Sequence, residues 1–229
     1  MTWVKICGMT NLEDALVAVE AGADAVGFVF YEKSPRCVSV ETAREIVEKL
    51  PKGVEKVGVF AGESVARADE IVSRVGLDAL QVYPLSCAKS GGRGDDLDAE
   101  SRLRKKRLYL ALPIASLVSD EHAMTLDVNG REDDFMAILL DSGGGQQPGG
   151  TGVAFDWNKA APIVASLSRT RYVAIAGGLT SWNVGEAIGI LQPWGVDVAS
   201  GVEARPGKKD PEKVRAFVRA VREIDRKTS

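Results

Sequence analysis

The chain has 229 residues, of which 45% are hydrophobic and 27% charged, with a formal net charge of −3. That length suits one barrel-sized domain and is tight for two, so residues 1–229 are read as a single domain of an ordinary globular protein. A mildly acidic chain lacks the basic footprint of a nucleic-acid binder, and its one basic run, Arg102 to Arg107, is expected to be the solvated face of a helix.

Short apolar or β-branched runs alternate with longer helical patterns along the whole chain. Trp3–Cys7 reads as the first strand, followed by a helix over Asn11–Ala21 capped by Thr10 or Asn11, with Glu13 and Asp14 in its first turn. Ala25–Phe30 is the second strand, and the helix Val40–Leu50 is closed by Pro51 and Gly53. Lys56–Phe60 is followed by a helix Ser64–Val75 that ends at Gly76, then by the strand Ala79–Tyr83. Residues 86–107 open polar and Gly-rich and end in one short helix before the strand Leu108–Leu112. Residues 116–134 are poorly patterned, so the fifth helix is expected to be short or absent. Ala137–Asp141, Tyr172–Ala176 and Val196–Ser200 complete the strands, with helices Trp157–Leu167, Ser181–Leu191 and Pro211–Ile224 between and after them.

Strands separated by helices pair in parallel through right-handed crossovers. Eight of them in a chain of this length predict closure into a (β/α)₈ TIM barrel, whose site lies at the C-terminal strand ends. The chemistry-bearing residues there are few. Lys5 and Cys7 share one face of the first strand while Val4 and Ile6 take the other. Pointing inward, Lys5 needs a partner, and its charge would favour a nearby thiolate at Cys7, which read alone would be a small buried filler. Asp141, directly after an apolar strand, is either a general acid or a loop-orienting cap. Arg36 sits in the short loop Ser34-Pro35-Arg36, as a bidentate anion contact or a surface side chain. Gly177 and Gly178 after the seventh strand, and Ser200 and Gly201 after the eighth, form loops in which backbone N–H groups can approach a phosphate. The Gly-rich segment 143–152 after Asp141 is either a plain connection or a mobile, substrate-contacting loop.

Other chemistries are disfavoured. No apolar run is long enough to span a bilayer and no signal peptide opens the chain, so no membrane partner is expected and the expected location is the cytoplasm. Cys7, Cys37 and Cys87 are odd in number and form no C-x-x-C pair, which argues against a disulfide framework or a zinc site. The single histidine, His122, lies in the polar stretch Ser119-Asp120-Glu121 and reads as a surface residue, so acid–base work falls to Cys, Asp, Glu or Lys.

These pieces together resemble the phosphoribosylanthranilate isomerases. The resemblance is carried by Val4-Lys5-Ile6-Cys7-Gly8-Met9-Thr10, by Ala23-Asp24-Ala25-Val26-Gly27-Phe28-Val29-Phe30 leading to Ser34-Pro35-Arg36, and by Leu139-Leu140-Asp141-Ser142. It continues through Gly149-Gly150-Thr151-Gly152, Phe155-Asp156-Trp157, Ala176-Gly177-Gly178-Leu179, Val196-Asp197-Val198-Ala199-Ser200-Gly201-Val202-Glu203 and Pro206-Gly207-Lys208-Lys209-Asp210. It implies a small-molecule phosphorylated substrate, an Amadori rearrangement, no cofactor or metal, and a monomer or homodimer. It also implies Cys7 as general base, Asp141 as general acid and Arg36 as the contact to an anthranilate carboxylate. The acid would need a raised pKa and the thiol a lowered one. An isomerase of the histidine-pathway type would carry an Asp where Cys7 stands. The sequence departs from the family at the fourth strand, where Gln81-Val82-Tyr83-Pro84 replaces a usual Gln-Leu-His-Gly. Tyr83, on the same face as Gln81, is expected to line the pocket and shield the anthranilate end.

Overall fold

A computed structural model describes residues 1–83, 94–118, 135–143 and 154–228. The expectations for His122, Pro84, Cys87 and the Gly-rich residues 144–152 fall outside the described residues. Eight parallel strands close into a barrel in chain order: β1 (Trp3–Cys7), β2 (Ala25–Val29), β3 (Glu55–Phe60), β4 (Ala79–Val82), β5 (Arg107–Pro113), β6 (Ala137–Asp141), β7 (Tyr172–Ile175) and β8 (Gly195–Val198). Around it lie α1 (Leu12–Glu20), α2 (Val40–Val47), α3 (Val65–Val75), α4 (Gly94–Leu103), α5 (Ile114–Val118), α6 (Trp157–Leu167), α7 (Val184–Leu191) and α8 (Pro211–Thr228). A two-stranded hairpin, β9 (Glu203–Arg205) with β10 (Lys208–Lys209), lies between β8 and α8.

The alternation of each strand divides its side chains between two cores. Val4, Ile6, Val26 and Phe28 point outward and pack with helical Ala15, Val214, Phe217 and Val221. Inside the barrel, Ala25, Val57, Ala79, Tyr109 and Ala137 form a lower layer, and Cys7, Val29, Val59, Tyr83, Ala111, Leu139 and Ala174 pack above them. Helix starts follow the local chemistry: Asn11, Ser39, Ser64 and Asp156 each accept a backbone N–H of the first turn. Gly76 ends α3 in the left-handed conformation, at φ 79°.

The start of α7, the end of β8 and the basic run differ from expectation for local reasons. Helix α7 begins at Val184 rather than Ser181, because Asn183 accepts from Thr180 N at 2.7 Å and donates to Gly178 O at 2.9 Å, folding the preceding residues into a turn. Strand β8 stops at Val198, since Ser200–Val202 turns into a 3₁₀ segment. The basic run is not one helical face. Arg102 lies in the last turn of α4 paired with Asp69, Lys106 donates to Leu77 O, and Arg107 opens β5 paired with buried Glu55.

Candidate active site

The inward Lys5 finds its partners across the barrel. It is fully buried, and its Nζ donates to Gln81 Oε1 at 2.9 Å and to Asp197 Oδ1 at 3.0 Å. Asp197 is the register partner of Lys5 on β8. Burial works against the ammonium, but Asp197 and Cys7 outweigh it and raise the Lys5 pKa. Sequence reading asked for a partner to Lys5 without naming Asp197; an acid inside the apolar strand Val196-Asp197-Val198 was the available signal.

Cys7 ends β1 opposite Gly27 of β2. A Cβ at Gly27 would come within 2.7 Å of Cys7 Sγ and 3.1 Å of Lys5 Cε, so the missing side chain is what makes room for both. Burial pushes the Cys7 thiol up, Lys5 and Lys209 draw it down, and Asp197 pushes it up again. The net direction is upward, which corrects the expectation of a lowered thiol: burial outweighs the pull of Lys5, whose ammonium is itself paired with Asp197. Asp141 ends β6, almost wholly buried, and its Oδ1 accepts from Gly143 N at 3.2 Å. Burial raises its pKa first and Asp197 second, against the opposing hydrogen bonds from Gly143 and Ser142. A carboxyl raised in this way matches what a general acid requires.

Cys7 and Asp141 line one cavity of about 260 Å³ at the C-terminal end of the barrel, together with Arg36, Tyr83, Gly177, Gly178, Ser200 and Gly201. All eight residues singled out from the sequence therefore meet there. Gly177 and Gly178 take φ of 83° and 66°, a region that residues with a Cβ rarely adopt. A Cβ at Gly201 would sit 1.8 Å from Leu179 O, so the loops after β7 and β8 touch backbone to backbone. Tyr83 faces the cavity rather than the helix layer, and its hydroxyl is raised well above 10 by burial and by the neighbouring Asp141 and Cys7. Arg36 is held by a residue the sequence reading gave no role: its Nε and Nη2 donate to the two carboxylate oxygens of Glu203 at 2.8 and 2.9 Å.

The model of the family described as N-(5'phosphoribosyl)anthranilate (PRA) isomerase matches residues 4–220. The chain belongs to the phosphoribosylanthranilate isomerase family. It is 41% identical to the N-(5'-phosphoribosyl)anthranilate isomerase of Pelobacter propionicus over 223 residues, 97% of each chain. It superposes on the crystal structure of phosphoribosyl anthranilate isomerase from Thermotoga maritima with a TM-score of 0.78 at 40% identity, covering 97% of this chain and 100% of that one. A TM-score of 0.75, again at 40% identity and with the same coverage, relates it to a phosphoribosyl anthranilate isomerase in complex with reduced 1-(o-carboxyphenylamino)-1-deoxyribulose 5-phosphate. Three residues that sequence reading left without roles, Asp197, Glu203 and Lys209, bring charge to the surroundings of Cys7 and Arg36. No helix among the described residues is long and apolar enough to cross a membrane.

Proposed function

We propose that Cys7 and Asp141 carry out, in this chain, the Amadori rearrangement of N-(5-phosphoribosyl)anthranilate to 1-(2-carboxyphenylamino)-1-deoxyribulose 5-phosphate. The activity is that of an isomerase of tryptophan biosynthesis. The observation that carries the assignment is that an acid from β6 and a thiol from β1 line one cavity with two glycine loops and an arginine.

Protonated Asp141 donates to the ribose ring oxygen as the anilino nitrogen pushes its lone pair toward C1. The C1–O bond breaks and a Schiff base forms. Cys7, as thiolate, removes the C2 proton, and the electrons of that bond move to give an enolamine. Tautomerisation to the ketone completes an internal redox exchange in which C1 is reduced and C2 oxidised. The phosphate is bound by backbone N–H groups at Gly177–Gly178 and Ser200–Gly201, beside the N-terminal turn of α7. Arg36 takes the anthranilate carboxylate. Tyr83 gives that end an aromatic wall. Residues 1–229 act as one catalytic domain, and a thiol base needs the reducing conditions of the cytoplasm.

The test is direct. Freshly prepared phosphoribosylanthranilate is mixed with the protein and its fluorescence followed; the chain should accelerate the loss far beyond the spontaneous rate. An unchanged decay with folded protein would overturn the assignment.

A further inference from the structure

Glu203 is a charged residue at the barrel mouth that the acid–base steps leave idle. It opens β9 and is buried at 7% exposure. Burying a carboxylate is costly unless its oxygens are paired. Here Oε1 accepts from Arg36 Nε at 2.8 Å, from Lys209 Nζ at 3.2 Å and from Gly207 N at 3.3 Å, while Oε2 accepts from Arg36 Nη2 at 2.9 Å.

The geometry of the Arg36 pair matters. Glu203 takes the side-on edge of the guanidinium, Nε with Nη2. A guanidinium has a second edge, the end-on fork of Nη1 and the outer N–H of Nη2, which matches a planar carboxylate equally well. Among the described residues nothing accepts from Arg36 Nη1, and Arg36 lines the cavity.

Both partners of the pair are themselves held. The Arg36 stem lies over Gly8, where a Cβ would come within 2.7 Å of Arg36 Cδ, and Arg36 N donates to Ser34 Oγ at 3.2 Å. The β9–β10 hairpin is anchored by Lys209 N on buried Asp14 at 2.7 Å and by Lys213 Nζ on Glu203 O at 2.9 Å. Lys209 Nζ also donates to Ala199 O at 3.1 Å. Arg36 and Lys209 therefore share the one carboxylate of Glu203, and of the three only Arg36 lines the cavity.

We propose that Glu203 is a positioning residue: by clamping the side-on edge of Arg36 it aims the end-on fork at the aryl carboxylate of the substrate. This rests on the reading of Arg36 as the carboxylate contact. Without the clamp, the arginine keeps its charge but loses its aim, and it can turn toward any anion in the cavity, the substrate phosphate included.

The experiment compares wild type, Arg36→Ala, Glu203→Gln and the double variant against two ligands by calorimetric titration. One is reduced 1-(2-carboxyphenylamino)-1-deoxyribulose 5-phosphate, which carries the carboxylate. The other is ribose 5-phosphate, which does not. Glu203→Gln should weaken the first by roughly tenfold to a hundredfold, the size of a lost orientation at one charged contact, and the second by less than about threefold. In turnover it should raise KM more than it lowers kcat. The double variant should bind no worse than Arg36→Ala alone, because a residue acting through another is not additive with it. Equal weakening of both ligands, or full additivity, makes Glu203 a structural residue and overturns the proposal. If Arg36→Ala weakens the carboxylate ligand and Glu203→Gln does not, the clamp alone fails; if Arg36→Ala changes nothing, the reading of Arg36 fails with it. Where Glu203→Gln does not fold, Glu203→Asp, which keeps the charge but withdraws it by one methylene, is judged by the same ligands and criteria.

Discussion

The two ends of the barrel bury charge in opposite ways. At the N-terminal end, Glu55 accepts from Tyr109 Oη at 2.8 Å and pairs with Arg107 Nε at 2.8 Å, and aromatic rings pack alongside: Trp3 stacks on Trp194 at 4.8 Å and tilts against Tyr109 at 5.6 Å. At the C-terminal end, Lys5, Gln81 and Asp197 form a more deeply buried network, but Cys7 and Asp141 above it face a cavity. One end spends its polar groups on one another; the other holds two of them back for a ligand. Stability and chemistry should therefore separate along the barrel axis.

The largest expected effect tests the open end. Cys7→Ala and Asp141→Asn should each lower kcat by roughly 10²–10⁴-fold, the range of one acid–base group, with little change in Tm. Near-normal turnover in both folded variants would remove the acid–base pair from the mechanism.

The next effect is in pH. Both groups titrate above their ordinary values, Asp141 from 3.8 and Cys7 from 9.0. The productive form, with the carboxyl protonated and the thiol ionised, is a minority species when the acid has the lower pKa. Its fraction rises with pH up to the Asp141 pKa, stays level, and falls above the Cys7 pKa, by about tenfold per pH unit on each limb. Because Asp197 raises both groups, Asp197→Asn should move both limbs of kcat/KM to lower pH. Limbs that stay put, or that move apart, would detach Asp197 from the pair.

A smaller effect tests the closed end. Tyr109→Phe removes a hydrogen bond to buried Glu55 and should cost about 1–3 kcal/mol of stability, read as a lower Tm, with kcat/KM as in wild type. A loss of activity larger than the loss of stability would show that the two ends are coupled. The smallest effect is at Tyr83. Tyr83→Phe should cost no more than about threefold in kcat, because a phenol this far above neutrality is poorly matched to proton transfer, while Tyr83→Ala should chiefly raise KM. A Tyr83→Phe enzyme as inactive as Cys7→Ala would place the hydroxyl in the chemistry.

The fold was legible because short apolar strands alternate with helical patterns along the chain, the first strand sorts Val4 and Ile6 out and Lys5 and Cys7 in, and Asn11 and Gly76 mark helix ends. The eight cavity residues were legible because they sit at strand ends or in the short and Gly-containing loops that follow them, where side-chain type and position agree. What was not legible depends on distant partners. Asp197 and Glu203 belong to the last strand and the hairpin after it, and nothing local tells that they meet Lys5 and Arg36. The Cys7 pKa was misread because the cation beside it was counted, while the burial of the thiol, which is the largest influence, and the more distant Asp197 were not.

Those distant partners set a long contact order on the site. Lys5 and Asp197 are 192 positions apart, and Arg36 and Glu203 167. A refolding chain can form its first strands and helices early, but these pairs come together only when the last strand docks against the first, after the entropy of the longest loop has been overcome. The electrostatic environment of the thiol is thus a seam that closes the ring. Recovery of enzymatic turnover should lag the recovery of helical circular dichroism, and a chain trapped one strand short would look largely folded while having no site.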